Sequence, residues 1–334
     1  MTSWLLVTNW NHFPNSLRVL MRIFITGATG FAGSHLVENL VSAGHEIFSL
    51  VHPETSHQPL LQHDRVNLIP GNLLDQASLE TAVAQAKPDR VYHLAGQAYP
   101  AVSWQKPGLT LAVNSVGTAN LLQAVVKYGR PRTLIVTSAE IYGEIKPEML
   151  PITEETKPAP NHPYGISKWA AGLLVPLYWQ RYGLPVVEAR PFNHIGPRQS
   201  LGFVVPDFAS QLAGMRVGQR LNQMKVGNLD AMRDFTDVRD VVRAYELLAE
   251  QGESGEAYLI CSGKPVKIEA ILQKLIQLVN VEIDVQQDPE RMRPSDTPCL
   301  YGSYAKLEAQ TGWRPQIDLD QSLADILADW VRRL

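Results

Sequence analysis

Cysteine is almost missing. The 334 residues hold only Cys261 and Cys299, far apart and without the spacing of a metal-binding cluster. That excludes a disulfide framework and a cysteine-ligated metal, and it fits a reduced, cytoplasmic setting. A surplus of charge is missing too: 30 basic residues stand against 33 acidic ones, for a net charge of −3. Such a balance excludes a duplex nucleic-acid surface. No apolar run reaches the roughly 20 residues needed to span a bilayer, so no membrane partner is expected. No segment repeats and none is of low complexity, which leaves one large unit or two closely joined domains at this length. The opening stretch MTSWLLVTNWNHFPNSLRVL has no basic residue before Arg18. It therefore lacks the charged start of a secretory signal. Residues 1–20 read as an extension outside the fold, with an ordered N-terminal arm as the alternative, because a clean strand pattern begins only at Met21.

What is present is an ample apolar share, 45% of the chain, enough for an extensive core. MRIFITGATGFAGSHLVENLVSAGHEIFSLV reads as strand, glycine turn, helix, strand. Phe31, Leu36, Val37, Leu40 and Val41 recur at helical spacing, and Gly44 supplies a helix stop. Further strands are expected at residues 66–70, 90–94, 133–137 and 185–189, with helices at 76–85, 108–128 and 164–182. This alternation predicts an α/β chain of Rossmann type, a doubly wound parallel sheet with helices on both faces. Residues 21–192 form the expected dinucleotide-binding domain. Residues 193–334 form a smaller C-terminal α/β substrate-binding region, part of 229–260 packing back on the first. Pro176 falls inside the helix of 164–182, so that helix should stay regular through Lys168, bend near residues 172–176 and continue to about Arg181.

Gly27, Gly30 and Gly33 stand in a G-x-x-G-x-x-G pattern, with Phe31 and Ala32 at the helix start between them. Glycines there let the backbone turn tightly and approach a pyrophosphate seated at a helix N-terminus. The second strand ends on Val51 and His52 instead of the acidic residue that would hold a ribose 2′-hydroxyl. With no carboxylate to repel a 2′-phosphate, NADP(H) is favoured and NAD(H) stays open. At the same sheet edge lie Asn72 and Leu73 in GNLLD, near the expected adenine, and the small run Leu94, Ala95, Gly96 in HLAGQA. Pro191 closes the sixth strand. Ser138 and Glu140 follow the fifth strand, where a serine is ordinarily a turn residue. Tyr164 and Lys168, in NHPYGISK, stand one above the other on a helix face. A cation beside a phenol lowers its pKa from about 10 and readies it for proton transfer. Taken alone the pair is a weak signal; taken with the glycine motif it gains a context.

The glycine pattern, HLAGQ, Ser138 and Tyr164-x-x-x-Lys168, in this order, resemble the extended short-chain dehydrogenase/reductase superfamily from Met21 to about Trp330. The resemblance implies that Ser138 and Tyr164 hold the substrate oxygen, and that Lys168 binds the nicotinamide ribose and lowers the pKa of Tyr164. ARPFNHIGPRQSLGFVVPDFASQL and KVGNLDAMRDFTDVRDVVRAYELL are similar to enzymes acting on nucleotide sugars. They look most like the reductases of GDP-4-dehydro-6-deoxy-D-mannose, with GDP-mannose 4,6-dehydratases next. By that resemblance Asn193 contacts a GDP-sugar substrate, while Arg233 and Arg293 clamp its diphosphate as guanidinium groups do. Glu140 stands where dehydratases carry a base, which keeps the dehydratase alternative open. A regulatory binding protein on the same fold would tend to lose the tyrosine or the lysine, and both are present. Asn72 and Gly96 depart from the usual aspartate and alanine. A homodimer through the helices of 108–128 and 164–182 is implied by the resemblance only.

Overall fold

The computed structural model describes residues 19–53, 63–279, 281–291 and 297–334. The first part of the chain runs β1 (Arg22–Thr26), α1 (Phe31–Ser42), β2 (Glu46–Val51), β3 (Val66–Pro70), α2 (Gln76–Ala86), β4 (Arg90–His93), α3 (Pro100–Gln105) and α4 (Pro107–Leu111). A π-helical turn (Ala112–Val116), α5 (Gly117–Lys127), β5 (Arg132–Val136), α6 (Pro163–Tyr182) and β6 (Val186–Pro191) follow. Beyond them lie β7 (Asn193–Ile195), α7 (Val204–Arg216), β8 (Gln223–Val226), β9 (Met232–Asp237), α8 (Val238–Gln251) and β10 (Ala257–Ile260). The chain closes with β11 (Pro265–Lys267), α9 (Ile268–Val279), β12 (Asp284–Gln287), β13 (Cys299–Leu300), α10 (Ala305–Thr311) and α11 (Leu319–Arg333).

Seven strands form one parallel sheet in the order β10-β6-β5-β4-β1-β2-β3. This is a doubly wound α/β fold. β1 sits between β2 and β4, so the winding direction reverses there, and the crevice at the carboxyl ends of β1 and β4 is the natural ligand site. Thr26 pairs with His93 at this edge. One face of the sheet is covered by α1 and α8, where Leu36, Leu40, Val241 and Tyr245 share a core. The other face is covered by α2, α5 and α6 through Leu79, Val83, Leu121, Val125 and Val175. α8 and β10 thus belong to the sheet layers although they follow β7 in the chain. A smaller sheet, with β9 between β11 and β13 and β7 also paired to β9, lies with α7, α9 and α11 around Phe208, Leu212, Ile271, Leu275 and Ile326.

Two departures from the sequence reading matter. The single helix expected at 108–128 is interrupted by the π-helical turn, where the Gly117 N–H reaches the Ala112 carbonyl. The extra residue per turn is held by side-chain hydrogen bonds of Asn114, described below. Second, the 21-residue run Pro107–Lys127 is, by length and composition, apolar enough to cross a membrane, contrary to the sequence expectation. Here its inner residues Leu121, Leu122, Ala124 and Val125 fill the sheet layer, which accounts for its apolar character. α6 runs unbroken from Pro163 to Tyr182 with Pro176 inside it.

Candidate active site

The glycine turn is built by close approach. Gly27 has φ +81°, and a Cβ there would sit 2.6 Å from the Ala95 nitrogen. A Cβ on Gly33 would collide with the Gly27 carbonyl. The Gly30 N–H donates to that same carbonyl at 3.0 Å. α1 starts at Phe31 with no side-chain cap on its first N–H groups, the arrangement that receives an anion. The backbone of Leu94 and Ala95 passes against Gly27, and a Cβ on Gly96 would stand 2.7 Å from Asn114 Oδ1 and 3.5 Å from Lys168 Nζ. These close approaches allow no side chain at Gly27, Gly33 and Gly96, which is how such a turn brings its backbone up to a pyrophosphate, so the residues present fit a dinucleotide. Phe31 stacks on His194, with ring centroids 5.7 Å apart, and Ala32 packs beside it against the α1 core. Leu73 is buried under Gly117. Asn72 Oδ1 accepts the Leu74 N–H at 2.9 Å, so one lone pair of the carbonyl expected to face adenine is already used. His52 lies exposed just past β2, and Pro191 is buried at the end of β6.

α6 carries Tyr164 and Lys168, the pair expected to be catalytic. His162 caps its N-terminus, Nδ1 accepting the Gly165 N–H at 3.1 Å. The other ring nitrogen therefore bears the proton and donates to Glu140 Oε2 at 2.9 Å. The His162 ring lies parallel to that of Tyr164, with centroids 6.1 Å apart. Tyr164 and Lys168 are both buried, and the phenol hydrogen-bonds the Ser138 side chain. The Ser138 hydroxyl also accepts the Glu140 N–H at 3.2 Å.

The electrostatics correct the sequence expectation for Tyr164. Burial pushes its phenol up to about 12, the Ser138 hydrogen bond works against this, and the Glu140 charge adds to it. Desolvation penalises the phenolate more than any nearby group supports it. Lys168 does not offset this shift: Nζ donates to the Val136 carbonyl at 3.0 Å, the anchor being the end of β5. Burial brings Lys168 itself down to about 8, opposed by the Glu188 charge.

Two groups escaped the sequence reading. Asn114, buried in the π-helical turn, accepts the Gln97 N–H at 2.8 Å and donates to the Gln97 carbonyl at 3.1 Å and to Ser167 Oγ at 2.9 Å. Its partners lie on other segments, and no spacing signals them. Glu188 is buried in β6, bonded to Arg190 Nε at 3.0 Å and Nη2 at 2.9 Å and to Thr137 Oγ1 at 2.6 Å. The signal for it was a carboxylate in the otherwise apolar stretch VVEARP.

The expected substrate residues lie on the smaller sheet. Asn193 begins β7 and donates to the Asp234 carbonyl at 3.4 Å. Arg233, in β9, donates through Nη1 to the carbonyls of Met232 at 2.8 Å and Thr297 at 2.7 Å. Arg293 lies outside the described residues. A cleft of about 320 Å³ opens beside α7, β8 and β12, lined by Gln211, Arg220, Gln223, Lys225, Gln286 and Arg291 among others. Its cations were not singled out in the sequence.

A doubly wound sheet with this glycine turn and a Ser–Tyr–Lys centre defines an NAD(P)-dependent oxidoreductase of the extended short-chain dehydrogenase/reductase type. More narrowly, the chain belongs to the GDP-mannose 4,6-dehydratase family, whose model matches residues 24–326. It is 40% identical to GDP-6-deoxy-D-mannose reductase of Pseudomonas aeruginosa over 94% of this chain and 98% of that one. It is 30% identical to a GDP-mannose 4,6-dehydratase of Sordaria araneosa over 91% of this chain and 60% of that one. The solved structure of RMD from Pseudomonas aeruginosa complexed with NADPH superposes with a TM-score of 0.82 at 38% identity, covering 94% of this chain and all of that one.

Proposed function

We propose that this protein reduces the 4-keto group of GDP-4-dehydro-6-deoxy-D-mannose, giving GDP-D-rhamnose, with NADPH favoured over NADH. The observation that carries the reading is the placing of Tyr164, buried on α6 beside Ser138, where burial pushes its phenol up to about 12 and favours the protonated form. A ketone reductase needs a proton donor at the carbonyl, and this phenol is one. The likeness to a GDP-6-deoxy-D-mannose reductase over nearly the whole chain supports the substrate.

The bound nicotinamide supplies the hydride. Tyr164 gives its proton to O4 as charge develops there, and Ser138 holds the same oxygen, stabilising that charge. Lys168, fixed by the Val136 carbonyl, holds a positive charge one helical turn from the phenol, where it steadies the phenolate left once the proton has been given. The glycine turn, with Phe31, Ala32, His52, Asn72, Leu73, Leu94, Ala95, Gly96 and Pro191, is assigned to the cofactor. Residues 21–192 then serve the cofactor and 193–334 the sugar nucleotide. Asn193, Arg233 and Arg293 are assigned to the GDP-sugar, and the cationic cleft of Arg220, Lys225 and Arg291 is the candidate seat of its nucleotide.

Glu140 supports the second reading, a GDP-mannose 4,6-dehydratase, since it follows Ser138 where a dehydratase would carry the base for the sugar's C5 proton, and its charge is felt at Tyr164. Its Oε2 is occupied by the His162 N–H, which weakens it as a base and favours the reductase. We further assign the protein to the cytoplasm as a homodimer. Leu109, Val116, Ile166, Leu173 and Leu177 are exposed on α4, the π-helical turn and α6, which pack side by side. The test is incubation with GDP-mannose alone and, separately, with the keto-sugar and NADPH. NADPH oxidation with the keto-sugar supports the reductase; conversion of GDP-mannose supports the dehydratase.

A further inference from the structure

His93 ends β4, is 2% exposed, and has no part in the chemistry above. Both ring nitrogens are used. Nδ1 lies 2.7 Å from Thr26 Oγ1 and Nε2 lies 2.9 Å from Thr118 Oγ1. Thr26 is the residue before the Gly27 turn, and Thr118 is in the first turn of α5. The direction of every bond can be worked out. The Thr118 hydroxyl is 2.6 Å from the Asn114 carbonyl. A carbonyl only accepts, so the single Thr118 proton points there. Thr118 Oγ1 then meets His93 with a lone pair, and Nε2 must carry the ring proton. A neutral imidazole has only one, so Nδ1 is bare and accepts from Thr26. The Thr26 oxygen in turn accepts the Ala95 N–H at 3.3 Å. Burial, aided by the Lys168 charge, pushes His93 down to about 3, so the ring is neutral at any working pH.

The chain goes on from Asn114. Its amide binds Gln97 and Ser167, and Ser167 Oγ donates to the Tyr164 carbonyl at 2.7 Å. The same amide lies over Gly96, where an added Cβ would also come within 3.5 Å of Lys168 Nζ. Two runs of hydrogen bonds therefore meet in Asn114: one leads from the end of β1, under the glycine turn, to its backbone carbonyl, and the other leads from its side-chain amide to the helix bearing Tyr164 and Lys168. In a neutral threonine–imidazole–threonine chain each group fixes the orientation of the next, since each hydroxyl has one proton to give.

We propose that His93 is a positioning residue for the catalytic centre. In the Nε2–H tautomer it carries a directional hydrogen-bond chain from Thr26 to the Asn114 carbonyl, holding the π-helical turn and the Asn114 amide against Gly96 and α6. Through Asn114 it registers the Tyr164–Lys168 pair to the cofactor crevice.

Two measurements test this, of which only the kinetic one rests on the reductase reading. Nitrogen-15 spectra of histidine-labelled full-length protein, with the His93 resonance assigned by its loss in His93→Gln, should show the Nε2–H form unchanged from pH 6 to 8. The Nδ1–H form or a titrating ring would overturn the proposal, whether or not the keto-sugar is a substrate. In turnover, Thr118→Val should lower kcat about tenfold, with KM for the keto-sugar and the affinity for NADPH within about twofold and the unfolding midpoint measured alongside. Thr118→Ser restores the hydroxyl and should return kcat to within about twofold of wild type. Wild-type kcat in Thr118→Val, or no recovery in Thr118→Ser, would reduce the chain to a structural feature.

Discussion

Tyr164 and Lys168 share a helix face, yet burial rather than their proximity sets their protonation. The phenol at about 12 stays loaded with its proton at neutral pH, as a reductase requires. Tyr164→Phe removes that proton alone, so turnover should fall by about 10²–10⁴ with NADPH affinity nearly unchanged; a stopped-flow rate and a fluorescence titration decide it. Lys168 behaves differently. Its folded pKa lies near 8, below its ordinary value. The ammonium is present below that pH and lost above it. If its charge supports Tyr164, kcat should fall on an alkaline limb near pH 8, well before the phenol itself titrates. A profile flat to pH 10 would remove Lys168 from the proton path. Ser138, Tyr164 and Lys168 could be singled out in the sequence because order and spacing point to them, and the fold buries all three together at the end of β5 and on α6. The direction of the Tyr164 shift was not legible, because spacing reports neighbours and says nothing of desolvation. Asn114 was illegible for a related reason: Gln97 and Ser167, which give it meaning, are brought to it only by the fold.

At the scale of elements, α6 depends on an absence. Gly172 looks in sequence like a weak point in a helix that already contains Pro176. In the fold a Cβ at Gly172 would stand 2.5 Å from Glu188 Oε1. That carboxylate cannot swing aside, since Arg190 holds both of its oxygens and Thr137 one of them. Helix propensity favours alanine over glycine by about 1 kcal/mol. Overpacking against a fixed buried group costs about 1–3 kcal/mol. The steric term should win, so Gly172→Ala should destabilise the protein in urea or thermal unfolding; equal or higher stability would show that Glu188 yields. The sheet strands up to β6 were legible to within about two residues, because buried parallel strands read as short apolar runs between amphipathic helices, whereas α8 and β10 were read only as a part of 229–260 packing back. The π-helical turn of Ala112–Val116 was not legible. Its sequence is ordinary helix, and side-chain bonds from Asn114 to distant segments impose the extra residue.

At the scale of the molecule, the sheet brings the carboxyl ends of β1, β4 and β5 to one edge, and α6 brings Tyr164 and Lys168 to it. α8 and β10 return to complete the sheet after β7 has left it, which ties residues beyond 193 to the large sheet. The outer face of α4, the π-helical turn and α6 is apolar and exposed. Leu177, 56% exposed, stands at the centre of the proposed dimer contact with Leu173 and Val116. Leu177→Lys combined with Val116→Glu should therefore yield a folded monomer in sedimentation, whereas an unchanged dimer would place the interface elsewhere. The reaction itself is tested most directly by product analysis of the purified protein. Supplied with GDP-4-dehydro-6-deoxy-D-mannose, it should oxidise NADPH in step with formation of GDP-D-rhamnose, and it should leave GDP-mannose untouched. Conversion of GDP-mannose to the 4-keto-6-deoxy sugar, abolished in Glu140→Gln, would contradict the reductase assignment and make the protein a dehydratase.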